Sequence, residues 1–186
     1  MKEQRKVRFM LVVLMVLALV AGTKMTAEAE QYGKYEYCLM EDGTAYIFAY
    51  TGSAKSLKIP STIKRKGKKI KVTGVDYFGG FSDCVKEIEI PEGVKFIGQY
   101  GGDGPSPYKD IEKITIPKSV KRIDEGAFNY YRKLSYIKYK GTKKQWKSIK
   151  MGKYNPMSIE IRCKDGTLNK NKKNKNYRYV IQKDNT

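Results

Sequence analysis

The chain has 186 residues, room for one folded unit of ordinary core with a tail or targeting segment and too few for two full-sized domains. Lys+Arg number 38 against Asp+Glu 19, a formal charge of +19, and 31 of the cations are lysine, which points to acidic partners. With His at 0, Ser-His-Asp and Cys-His catalysis and most zinc sites are excluded.

In chain order, Lys2, Arg5, Lys6 and Arg8 precede an apolar run from Phe9 to Ala21, and Ala27-Glu28-Ala29 follows as a small-residue cleavage pattern. This reads as a secretory signal peptide over residues 1–29, cut after Ala29. The apolar run is shorter than the roughly 20 residues a spanning helix needs, so no integral membrane span is expected after cleavage. Residues 30–186 keep a charge of +16. Expected localisation is therefore secreted, extracellular or attached to the cell surface. Residues 30–56 form the next unit, a capping hairpin: Tyr35 to Phe48 alternates apolar and polar positions around Asp42-Gly43.

A repeat occupies 57–139. Val85-Lys-Glu-Ile88-Glu-Ile90-Pro91-Glu-Gly-Val94-Lys-Phe-Ile97 and Ile111-Glu-Lys-Ile114-Thr-Ile116-Pro117-Lys-Ser-Val120-Lys-Arg-Ile123 match at every apolar position with a spacing of 26. Leu134-Ser-Tyr-Ile137-Lys-Tyr139 repeats the opening half 23 residues on, and Leu57-Lys-Ile59-Pro60 is a degenerate earlier copy. The Gly- and Pro-rich stretch 101–107 reads as an insertion in one loop. Ile-x-Ile puts two branched side chains on one face of a short strand, because strand side chains alternate. Proline then ends the strand, having no N–H for a ladder. One such unit cannot close a core, so the units must stack.

Ile116-Pro117-Lys-Ser-Val120-Lys-Arg-Ile123-Asp-Glu-Gly-Ala127-Phe128 resembles the BspA-type leucine-rich repeat of bacterial surface proteins. Asp42 to Ile63 looks like the opening unit of that family, and Tyr139 to Trp146 with Ile161-Arg-Cys163-Lys-Asp-Gly166 looks like the closing unit, so the resemblance spans about residues 35 to 166. It departs at Val75-Asp-Tyr-Phe78, a shortened and altered helical turn, and after Ile97, where Ala-Phe is missing. The resemblance implies an α/β repeat, a short BspA-like leucine-rich-repeat solenoid, and attachment to surface molecules of a host or another microbe.

Past the array, 140–166 reads as a C-terminal cap. Thr142 stands three residues before Gln145, a capping-box spacing, which predicts a short helix from Lys143 to about Lys150 with Trp146 and Ile149 turned inward. Residues 167–186 read as a basic flexible tail, since Asn169 to Asn176 holds no apolar residue. Cys38 falls in the first rung and Cys163 in the last. Rungs about 4.8 Å apart put these two too far apart for a disulfide, which needs Cα atoms within about 7 Å. Cys84 reads as a loop thiol or a small apolar filler.

Three groups are candidate sites. The outward strand positions Lys58, Glu87, Glu89, Lys113, Thr115, Tyr136 and Lys138 form a mixed-charge row suited to a protein or glycan. Lys64, Arg65, Lys66, Lys68, Lys69 and Lys71 read either as a polyanion-binding patch or as a hairpin about Gly67 whose turn is merely solvated. The carboxylate pairs Glu87/Glu89 and Asp124/Glu125 have the residue types of a glycosidase, but they stand among lysines with nothing to raise a pKa, so solubilising charge is preferred. No catalytic residue, metal ligand set or cofactor is expected. The reading is a non-catalytic secreted binding module whose partner is a host or microbial surface protein or glycan. The alternative is a wall-associated structural protein held to anionic cell-wall polymer by its charge. Nucleic acid is disfavoured, because lysine predominates over the arginine that reads bases.

Overall fold

An Ile-x-Ile-Pro unit buries its two side chains only if another such unit lies beside it, and the computed structural model stacks them in that way. It describes residues 29–81, 83–98, 110–128, 131, 133–153, 155 and 159–168. The expected signal peptide, apart from Ala29, the Gly/Pro-rich stretch 101–107 and the tail beyond Leu168 lie outside the described residues.

Two sheets face each other across the core. The second sheet, which carries the Ile-Pro steps, runs β4 (Ser56–Lys58), β7 (Glu87–Glu89), β9 (Lys113–Ile116), β11 (Tyr136–Tyr139) and β13 (Glu160–Cys163), all parallel. Leu57, Ile88, Ile114, Ile137 and Ile161 are register partners in turn, so the repeat seen in the sequence is a physical column. All five are buried. The first sheet is made by the return half of each coil: β3 (Ala45–Tyr50), β6 (Lys68–Phe81), β8 (Phe96–Gly98), β10 (Arg122–Ile123) and β12 (Lys150–Met151), again parallel. Ile47, Val75, Ile97 and Ile123 form its inward column, and Met151 ends it, 36 % exposed on the last rung. The fold is a β-solenoid of about four turns. Each buried Ile or Val contributes roughly 1.5–3 kcal/mol of transfer free energy.

One corner between the sheets shows side-chain bonds added to the backbone ladder. At the step after Pro91, Gly93 adopts φ 102 and its N–H donates to Ser119 Oγ at 3.1 Å, while that hydroxyl donates to the Val94 carbonyl at 2.8 Å. Neighbouring rungs are thereby tied at the turn as well as along the strands.

Antiparallel strands stand at both ends of the stack. On the first sheet, β2 (Tyr35–Leu39) pairs with β3 about the predicted Asp42-Gly43 turn, Gly43 having φ 74, and β1 (Glu30–Tyr32) adds outside it. The hairpin was expected from Tyr35; β1 was not. On the second sheet, β14 (Gly166–Leu168) folds back on β13 through Gly166 at φ 119. Helix α1 (Lys143–Lys147) starts at Thr142 with the expected reciprocal capping box to Gln145, and it is a turn shorter than the Lys150 limit suggested. Ile149 is buried and Trp146 packs edge-on to Tyr139 at 5.2 Å.

One expectation is corrected. Val75-Asp-Tyr-Phe78 is no helical turn: it lies inside β6, paired to β3 and β8. Among the described residues α1 is the only helix, so the helical side of each repeat is replaced by strand and turn. Ala127 and Phe128, for instance, sit in a turn and are both buried.

Candidate functional site

Alternation along each second-sheet strand turns the isoleucines inward and leaves every other residue facing out. Parallel register then aligns these outward residues into two rows. One holds Ser56, Glu87, Lys113, Tyr136 and Glu160; the other holds Lys58, Glu89, Thr115, Lys138 and Arg162. All seven strand positions singled out in the sequence are therefore brought together on one face.

The charges in these rows are largely matched within the face. Lys113 Nζ bonds Glu87 at 3.0 Å and Lys140 Nζ bonds Glu89 at 2.7 Å, while Lys58, with its side chain 83 % exposed, stands 4.0 Å from Glu89. The Lys140 ammonium holds the Glu89 carboxyl below the usual carboxylate range, and Glu87 pushes the Lys113 ammonium up. At the far end Arg162 bonds Glu160 at 2.6 Å and lies 3.6 Å above the Tyr136 ring, a close cation–π contact. Lys138 is exposed and has no ion-pair partner among the described residues. Thr115 was expected to be open, but it is only 7 % exposed. Lys140, which follows β11, crosses β9 to reach Glu89 on β7.

Lys140, Glu160 and Arg162 belong to this face and were not among the strand positions expected on it. Ile159-Glu160-Ile161 has the same alternation as the earlier units and could have located the last two; nothing local marks Lys140, whose partner is 51 residues away.

The basic run forms a hairpin. β5 (Thr62–Arg65) pairs antiparallel with the start of β6, Lys66 and Gly67 make the two-residue turn at φ 47 and 78, and Lys64, Lys66, Lys68, Lys69 and Lys71 are exposed. Arg65 differs from its neighbours. Its Nε donates to both Glu30 oxygens at 2.7 and 2.8 Å, and Tyr37 donates to the same carboxylate at 2.9 Å, so Arg65 is already occupied and Glu30 is held low.

The carboxylate pairs have the wrong electrostatics for acid catalysis. Glu89 is depressed by Lys140, the reverse of what a general acid needs. Asp124 is raised by burial, but Arg122 Nε stands 2.8 Å from it and its neighbour Glu125 is exposed. Among the described residues no three side chains are grouped to hold a metal, and Cys38, Cys84 and Cys163 form no disulfide with one another.

The outer side of the first sheet was not anticipated. Tyr46 stacks on Phe96 at 5.6 Å across Gly74, Arg122 covers the Phe96 ring at 5.0 Å, and Cys38, Met40 and Tyr46 form a small second core there. Asn155 is a second unforeseen residue: its amide donates to the carbonyls of Asp124 at 2.8 Å and Gly152 at 3.0 Å and accepts from Phe128 N–H at 3.1 Å.

Parallel rungs with in-register columns and aligned outward rows define a solenoid repeat protein. The family pattern of the BspA-type leucine-rich repeat region matches residues 43–161 in 6 copies, and the chain belongs to that family. Solved structures similar to this chain include a leucine-rich repeat protein from Bacteroides capillosus, 17 % identical over 61 % of this chain and 99 % of its own, with TM-score 0.48. A leucine-rich repeat protein from Bacteroides ovatus is 23 % identical over 72 % of this chain and 37 % of its own, TM-score 0.49. A leucine-rich cell surface protein from Faecalibacterium prausnitzii is 19 % identical over 73 % of this chain and 45 % of its own, TM-score 0.45. Comparison with curated proteins gives no match.

Proposed function

We propose that the protein is a secreted, non-catalytic module that attaches to a surface protein or glycan of a host or another microbe through the outer face of its second sheet. The observation that carries this reading is the pair of in-register outward rows, in which Lys138 presents a cation unpaired among the described residues beside the Tyr136–Arg162 cation–π pair on a rigid ladder. A mixed-charge face fits a partner with its own pattern of charge better than a uniformly anionic polymer. Membership of a repeat family of bacterial surface proteins supports the same reading, and no helix among the described residues is long and apolar enough to cross a membrane.

The test is binding of the full chain to an array of matrix proteins and glycans, beside a Tyr136→Ala/Lys138→Gln variant. A ligand bound by the native chain and lost about tenfold or more by the variant places the site on this face, since truncating a central aromatic anchor commonly costs at least about 1–2 kcal/mol. A ligand bound equally by both moves the site elsewhere. Export is checked separately: protein recovered from culture medium is expected to begin at Glu30.

A further inference from the structure

Lys138 apart, the charges on the second sheet are largely matched; on the β5–β6 hairpin, among the described residues, only Arg65 is. Its register pairs Thr62 with Lys71, Ile63 with Ile70, Lys64 with Lys69 and Arg65 with Lys68. Alternation therefore sorts the run into two faces. Ile63, Arg65, Lys68 and Ile70 share one, and this face is tied to the body by the buried Ile63 and by the Arg65–Glu30 clasp. Thr62, Lys64, Lys69 and Lys71 share the other, and all four are exposed.

Lys64 and Lys69 are directly opposite, which sets their Cβ atoms about 4.5–5.5 Å apart, and Lys71 is the next residue along on the same side. Like charges in that arrangement destabilise a ribbon, and among the described residues no carboxylate forms an ion pair with any of the three. Lys66 adds a fourth exposed cation at the turn. The basic edge continues into the stack. Lys95 N–H bonds the Thr73 carbonyl and Lys121 N–H bonds the Lys95 carbonyl, both at 2.7 Å, so these two exposed lysines occupy successive rungs beside the hairpin's base.

We infer that the outward face of this hairpin, centred on Lys64, Lys69 and Lys71, is a docking face for a linear phosphate polymer, read by charge spacing rather than by base or sugar. Lysine ammoniums act as point charges and impose no bidentate geometry, which suits a flexible chain of phosphates. A phosphodiester strand presents a charge about every 3.4 Å, dense enough to meet both members of a facing lysine pair. A glycan with one carboxylate every second sugar would meet only one. The bound anion also relieves the Lys64–Lys69 repulsion, so binding and hairpin stability rise together. The whole-chain charge that suggested a hold on anionic wall polymer thus acquires a specific location. It is independent of the second-sheet face, and the Tyr136→Ala/Lys138→Gln variant leaves it untouched.

The test uses the full chain, long-chain inorganic polyphosphate as probe and hyaluronan as the sparse-carboxylate control. Two variants remove equal charge: Lys64→Gln/Lys69→Gln/Lys71→Gln on the hairpin, and Lys144→Gln/Lys147→Gln/Lys164→Gln, all exposed, at the other end of the stack. The hairpin variant is expected to bind polyphosphate about tenfold or more weakly and to lose about 2 from the slope of log K against log salt, since single strands contribute about 0.7 per neutralised phosphate. It should melt no lower than the native chain, because it removes facing like charges. The second variant should bind within about threefold of native, its lysines lying outside the docking face and acting only through screened long-range charge. Equal weakening in both variants would assign the affinity to bulk charge and overturn the site. Hyaluronan bound as tightly as polyphosphate, or no polyphosphate binding at about 50 mM salt, would overturn it as well.

Discussion

Individual residues in this solenoid act mostly by spanning rungs. Asn155 satisfies three backbone groups, on Phe128, Asp124 and Gly152, and Asn155→Ala is expected to cost about 2–4 kcal/mol in urea unfolding, since each stranded buried group costs about 1–3 kcal/mol. Gly152 sits against the same turn. A Cβ there would lie 2.3 Å from Glu125 N and 2.6 Å from Asp124 C, atoms of the backbone that cannot rotate away, whereas a Cβ on Gly74 would meet the rings of Phe96 and Tyr46. Gly152→Ala should therefore destabilise by about 3 kcal/mol or more and Gly74→Ala by less, a ranking that parallel thermal melts would read. Asp110 spans rungs through charge, taking Lys86 and Lys133 on one oxygen at 2.8 Å each. Lys133 first, then Lys86, hold its carboxyl down at about 2, against an ordinary value of 3.8. Because the folded value is the lower one, its contribution is present above about pH 3.8 and is lost as pH falls through about 2. An NMR titration of Asp110 should show that midpoint, and Lys133→Met should move it upward.

At the scale of elements, α1 is the clearest local prediction. Thr142→Ala removes the cap acceptor for Gln145 N–H and should cost about 1 kcal/mol, seen as faster amide exchange over Lys143–Lys147 and in Ile149. This helix, the Asp42-Gly43 hairpin and the Ile-Pro rungs were legible because their signals are local: a cap three residues from its partner, a turn pair, an alternation stopped by proline. The first sheet was not. Its strands Phe96–Gly98 and Arg122–Ile123 are two or three residues long and hold together by register with the rungs on either side, so no stretch of sequence displays them. Val75 to Phe78 was read as a shortened helical turn, yet pairing of β6 to β3 and β8 draws it into a strand. The outward rows were legible for the same reason as the rungs, while the bonds of Lys140 to Glu89 and of Asn155 to Asp124 and Phe128 were hidden because these partners lie 51, 31 and 27 residues away.

Across the whole molecule, the inward columns run through every rung, so damage to the middle should spread. Ile114 is fully buried between Ile88 and Ile137, and Ile114→Ala is expected to lower stability by about 2–5 kcal/mol. The loss should appear in one cooperative transition, with hydrogen-exchange protection falling in β7, β9 and β11 together; separate melting of the two ends would count against a single folding unit. The partners in a column are unevenly spaced along the chain: Leu57 to Ile88, Ile88 to Ile114, and Ile114 to Ile137 are successive neighbours despite different numbers of intervening residues. Alignment is enforced where strands touch, and the connecting segment is free to differ in length from one coil to the next. Such a scaffold can acquire, shorten or exchange its protruding segments without re-solving its interior, and the lysine-bearing finger between Ile63 and Val72 is one such protruding segment.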